Sequence, residues 1–156
     1  MTHAQTDLLT GLSPEQVEQA LAFGTRMTIA RGAELFRLGE PADRIFLVER
    51  GRIRLTLPMQ VRGHAEDIVV EERSHGETVG WSALIPPYRF TLTATAPLET
   101  EVIALSREAL REHFAAYPAV GYVVSLNLAA VIGQRLQLFQ TMWLREMQRT
   151  VELRCA

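Results

Sequence analysis

Apolar and polar positions change period three times along this chain. The first period is helical. Ser13 can cap, Pro14 suits the first helical position, and Gln16 stands three residues after Ser13, as in a capping box. Leu12 and Val17 are placed for a hydrophobic staple. Val17, Leu21 and Ala20 give one short buried stripe and Gly24 reads as the stop, so the spacing predicts an N-terminal helical segment over 8–24. The second period is that of strands, over 27–105. Ile45 to Val48 is a continuous apolar run that ends in the turn signal Glu49-Arg50-Gly51. Ile53, Leu55 and Leu57 then alternate with Arg52, Arg54 and Thr56. A polar hairpin loop carrying Gly63 leads into Ile68-Val69-Val70. Phe90 to Ala96 alternates, and Glu101 to Leu105 closes the set. Short strands with turn signals at this spacing predict a mainly β fold, a β-roll of jelly-roll type, with helices at both ends.

The third period is helical again. Ser106 caps a short helix, 106–117, with Leu110 and Phe114 facing inward. Pro118 opens a longer one, predicted over 118–149 with a tail at 150–156. Its apolar residues, from Val120, Val124 and Leu128 through Leu136 and Phe139 to Trp143 and Met147, recur at three- and four-residue steps. Such a helix would be about 48 Å long, far more than one small domain can cover. Its surplus apolar face implies a partner, most simply the same helix in a second copy, and hence a homodimer.

Composition narrows the function. With 156 residues, 47% hydrophobic and 22% charged, the chain fits a single domain over 1–149. Its net charge of −2 gives no electrostatic footprint for nucleic acid. All sixteen basic residues are arginine. Cys155 is the one cysteine, which suits a reducing cytoplasm, and the first residues lack the order of a signal peptide. No run reads as a membrane span. His64 and His75, with Glu66 and Glu77, invite a metal reading, since they could meet across a hairpin. The spacing lacks the tight His-x-His pattern of a metal-binding roll, so no metal is expected. His3 and His113 read as surface residues. No grouping of nucleophile and base has catalytic context, so no enzyme is expected.

Two patches carry a resemblance. Leu38-Gly39-Glu40-Pro41-Ala42-Asp43-Arg44-Ile45-Phe46-Leu47-Val48-Glu49-Arg50-Gly51-Arg52-Ile53 is one, and Gly76-Glu77-Thr78-Val79-Gly80 with Thr91 to Ala96 is the other. In them, and in its long helix, the chain resembles the sensor half of catabolite-activator-type regulators, the cyclic-nucleotide-binding superfamily. The resemblance implies a phosphate-binding cassette after Gly80, where free backbone N–H groups meet an anion. It also implies a Glu after that Gly for the ribose hydroxyl and an Arg on the next strand for the phosphate. The sequence departs at both side chains. Trp81 holds the Glu position, Pro86-Pro87 interrupts the connection, and the Arg position falls on Phe90, so Arg89 matches only with a shift of one. Losing the ribose acceptor costs about 1.5–3 kcal/mol.

The candidate ligand-binding residues are therefore Gly80, Trp81, Ser82, Ala83, Arg89, Thr91 and Arg135. Trp81 either stacks on a flat ligand or plugs the vacated pocket. Arg89 is either an anion anchor or a solvated turn residue. Ser82 donates to a phosphate or caps the short helix. Arg135 reaches a ligand from a partner subunit or makes an inter-helix ion pair. No cofactor is certain, and a cyclic nucleotide or another small anionic ligand is the expected effector. The regulators of this type carry a helix-turn-helix after the long helix. None fits in the residues after 149, so direct DNA binding is not expected. The resulting reading is a stand-alone ligand-sensing module that signals through its dimer helix. The alternative is a non-binding scaffold for protein–protein assembly, with an unknown protein partner.

Overall fold

The structure is a computed structural model and describes residues 6–156; His3 lies outside them. Its elements are helix α1 (Pro14–Leu21), strands β1 (Thr25–Ile29), β2 (Glu34–Phe36), β3 (Arg44–Arg50), β4 (Ile53–Val61), β5 (His64–Arg73), β6 (Thr78–Val79), β7 (Thr93–Thr95) and β8 (Thr100–Ser106), then α2 (Arg107–Ala116) and α3 (Pro118–Cys155). A single 3-10 turn, Trp81–Leu84, follows β6. The strands form two antiparallel four-stranded sheets, ordered β1-β8-β3-β6 and β2-β7-β4-β5. This is the β-roll with flanking helices that the hydrophobic pattern predicts.

Burial explains the runs. Strand β3 lies between β8 and β6, and Ile45, Phe46, Leu47 and Val48 are all buried, with Ile45 and Leu47 facing Leu8, Leu110 and Phe114. Both of its faces are covered, which is why its apolar residues run without alternation. Phe46 and Val48 join Phe36, Ile53, Leu55, Val79 and Val102 in the core. Strand β4 starts in that core and leaves it. Ile53 and Leu55 are buried, but Leu57 and Met59 are exposed as the β4–β5 hairpin projects from the roll. The hairpin also separates the two histidines. His64 begins the ten-residue β5 and His75 lies beyond its end, about 30 Å away along an extended strand, so they do not meet. Among the described residues no group of three or more metal-ligating side chains comes together.

The N-terminal helix is shorter than the 8–24 segment its pattern suggested. Its start follows the capping logic, since Ser13 Oγ accepts from the Gln16 amide and Gln16 Oε1 accepts from the Ser13 amide. Its end does not depend on a left-handed glycine. Ala22 closes the helix, and Gly24 serves a close approach instead, because a Cβ there would stand 2.4 Å from Ile103 Cγ2. His113 is no surface residue. It is partly buried, with its ring centroid 5.4 Å from that of Phe23 and 5.0 Å from that of Tyr117.

Helix α3 divides into two halves. In the near half Val120, Gly121, Val124 and Val131 are buried, and Asn127 Nδ2 donates to the carbonyls of Leu8 and Thr10 at 2.8 Å. After Arg135 every residue is exposed, and the helix continues to Cys155, so the expected tail at 150–156 is helical to its penultimate residue. The far half extends roughly 30 Å beyond the roll. Part of α3 holds a window of mean hydropathy 1.3, long and apolar enough to cross a membrane by length and composition alone. The run of apolar positions alone predicts no such span, because polar residues interrupt it even where its mean hydropathy is high.

Candidate functional site

The cassette sits between the two sheets and the middle of α3. Gly80 ends β6 with φ 81°, and a Cβ there would press on Arg44 O, Phe46 and Phe90, each at 3.3 Å. A side chain there would be strained by the positive φ and tight against its neighbours. That turn starts the 3-10 segment. The Ala83 amide donates to the Gly80 carbonyl at 3.0 Å, so it is not free to hold an anion. The first amides of the turn, on Trp81 and Ser82, have no acceptor within it. Gly80, not Ser82, occupies the cap position.

One pocket lies under the cassette, lined by Phe36, Leu55, Gly80, Trp81, Ser82, Phe90, Thr91, Leu92 and Arg135. It leaves about 10 Å³, room for roughly one water. Two aromatic groups fill it. The Phe36 and Phe90 rings stack with centroids 3.8 Å apart and planes within 8°. Trp81 packs against the same core, and the Arg135 guanidinium lies 4.8 Å from its ring centroid.

Arg135 reaches this place from its own chain's helix. Within this chain it pairs with Glu71 on β5. Glu71 Oε2 accepts from Arg135 Nη2 at 2.5 Å and from Nε at 3.1 Å. The side chains are 10% and 22% exposed, so this pair is largely removed from solvent. Burial pulls the Arg135 guanidinium below its ordinary pKa, and the charge and hydrogen bonds of Glu71 oppose that. Glu71 also holds Arg73 at 2.6 Å, and Arg73 in turn reaches Glu77 at 3.0 Å and Asp7 at 3.5 Å. The long helix, β5 and the N-terminal segment are thus joined by one charged network.

Five of the seven sequence-expected residues, Gly80, Trp81, Ser82, Thr91 and Arg135, line the pocket. Ala83 lies behind it, fully buried. Arg89 turns away. It is exposed, and its Nη1 donates to the Gly39 carbonyl at 2.8 Å, tying the cassette's exit to the β2–β3 turn. It therefore anchors a turn and does not line the pocket. Phe36, Leu55, Leu92 and Glu71 had no local signal that marked them for the site. Phe90 did have one, since counting back from Ala96 placed it at the family's Arg position.

The fold and this cassette define a roll-type domain of the regulator kind, with a long C-terminal helix. Residues 26–117 match the family of cyclic nucleotide-binding domains, and the chain belongs to that family. It is 30% identical to the cyclic AMP receptor protein of Thermus thermophilus over 132 residues, 83% of this chain and 57% of that protein. The crystal structure of the Thermus thermophilus catabolite activator protein superposes with a TM-score of 0.76 at 26% identity, covering 92% of this chain and 63% of the other. The N-terminal domain of a transcriptional regulator from Streptomyces coelicolor A3(2) does so at 0.71, with 25% identity, 86% of this chain and 92% of that domain covered. The chain thus spans rather more than half the length of the first two.

Proposed function

We propose that the chain is a regulatory module whose effector pocket is closed by its own aromatic side chains and which works as a homodimer through α3. The observation that carries the reading is the filled pocket. Where the resemblance calls for an Arg to pair with a phosphate, Phe90 stacks on Phe36, and about 10 Å³ remains. A cyclic nucleotide would have to expel both an aromatic stack and Trp81, and would find no unpaired cation lining the pocket.

Association rests on the far half of α3. Leu136, Phe139, Trp143, Met147 and Val151 recur at steps of three or four, and their exposures range from 37% to 61%. A second copy covers such a stripe by helix pairing. A bilayer suits it less well, because Arg145, Glu146, Arg149 and Glu152 interrupt the same half and the near half lies on the roll. With that assignment the module acts in the cytoplasm and passes its state to a protein partner.

A second reading keeps a small anionic effector. It is favoured by the position of Arg135, since an anion that displaced Glu71 would act directly on the signalling helix. Thermal melting with cyclic AMP and cyclic GMP separates the two. The closed pocket gives no shift at millimolar nucleotide. A binder present at a hundred times its Kd gains about 2.7 kcal/mol, a rise of roughly 5–10 °C. Such a rise, abolished by Arg135→Gln, would sink the closed-pocket reading. Sedimentation at micromolar concentration tests the dimer, and a monomer there refutes it.

A further inference from the structure

A second cation–aromatic cluster lies on the outer side of the cassette. Tyr88 stands in the connection after the 3-10 turn, with φ 58°. The Arg107 guanidinium carbon lies 4.1 Å from its ring centroid and that of Arg111 lies 5.4 Å away. Arg111 Nη2 donates to the Tyr88 hydroxyl at 2.5 Å, which leaves the hydroxyl its own proton to donate outward. The two arginines are four residues apart on α2 and share a face. Eight other arginines form ion pairs, yet neither of these does among the described residues. Glu108 and Glu112 follow them on the helix but do not come within ion-pair distance.

Two guanidiniums gathered at one ring carry like charge, which an oxyanion reaching both would offset. Arg111 also keeps most of its donors free. We propose that Tyr88, Arg107 and Arg111 form an anion site for a phosphate-class oxyanion, separate from the closed pocket. The site connects to the cassette through Arg107. Its Nη1 donates to the carbonyls of Ala42 at 2.6 Å and Ala83 at 3.0 Å. Ala83 belongs to the turn that carries Trp81, so an anion drawing on Arg107 acts on the back of the cassette. This goes beyond the closed-pocket reading, because it places an effector where the family pocket is not.

Isothermal titration at fixed ionic strength tests it, with inorganic pyrophosphate in one arm and adenosine monophosphate in the other. The expected result is saturable binding of pyrophosphate at one site per chain. Its Kd rises at least tenfold in Arg111→Ala and about threefold in Tyr88→Phe. Arg111 is exposed, so its loss leaves the core intact; should the alanine variant not fold, Arg111→Gln replaces it. Binding of pyrophosphate alone assigns the site to a free oxyanion. Binding of both assigns it to a phosphate group carried on a nucleotide as well. No saturable heat from either, or a Kd unmoved by both Arg111 variants, overturns the proposal. Binding abolished by Arg135→Gln but untouched at Arg111 would overturn it together with the closed pocket, whereas failure at Arg111 alone leaves that reading standing.

Discussion

The pocket under the cassette and the far half of α3 are both rich in apolar side chains, and they resolve that property in opposite ways. In the pocket, Phe36, Phe90, Leu55 and Leu92 fill one another's space until only about one water's room remains. On the far half, Trp143 is 61% exposed, Leu144 60% and Leu153 71%, uncovered by the described residues. The contrast teaches which surface calls for a second molecule. A space that is already packed gains little from a ligand, because the ligand must replace contacts that exist. A bare stripe gains the whole hydrophobic contribution when it is covered.

The largest effect expected from this contrast falls on association. Replacing Trp143 and Met147 together by Glu places charges in the proposed seam. The dimer dissociation constant should rise by roughly a thousandfold or more, since each unpaired buried charge costs at least about 2 kcal/mol. Sedimentation velocity reads this directly, and unchanged association would remove the far half from the interface. Next comes the pocket. Phe90→Ala should cost about 3–5 kcal/mol in urea unfolding, with the dimer constant unmoved, because the lost ring leaves a cavity against Phe36. A cost under 1 kcal/mol would mean that the pocket is not packed as described.

A smaller loss is expected where the two regions meet. Glu71→Gln removes the charge opposite Arg135, and about 2 kcal/mol should be lost, less than for a fully buried pair because Glu71 retains some solvent contact. Binding of cyclic AMP should remain absent in this variant. Appearance of binding would show that Glu71 rather than the aromatic stack closes the pocket. The smallest effect lies away from both surfaces. Ser13→Ala removes the α1 cap and should cost about 1 kcal/mol without altering association or any ligand response, which denaturation and sedimentation together would check.

Legibility followed the distance over which each interaction acts. The Ser13–Gln16 box, the Ser106 cap and the buried run of β3 are local, and local pattern is enough to find them. The same holds for the surplus of α3, since a stripe on a helix of that length is visible without its neighbours. The cassette was half legible. Gly80 and Trp81 were found by position, and Phe90 was found as a replacement. Arg89 had two readings from the sequence, and only the structure shows the irregular connection sending its side chain to Gly39, outside the pocket lining. That His64 and His75 do not meet across a hairpin was not legible, since β5 runs longer than its apolar centre indicates.

By itself the sequence determined the roll, its flanking helices, the cassette's glycine and the surplus apolar stripe of α3, because capping, periodicity and side-chain volume act over a few residues. Only the tertiary structure decided that the pocket is full and that Arg135 is held by Glu71. The Phe36–Phe90 stack and the Glu71–Arg135 pair join residues far apart along the chain, and packing and desolvation exist only once two sheets and a helix have closed on the same space.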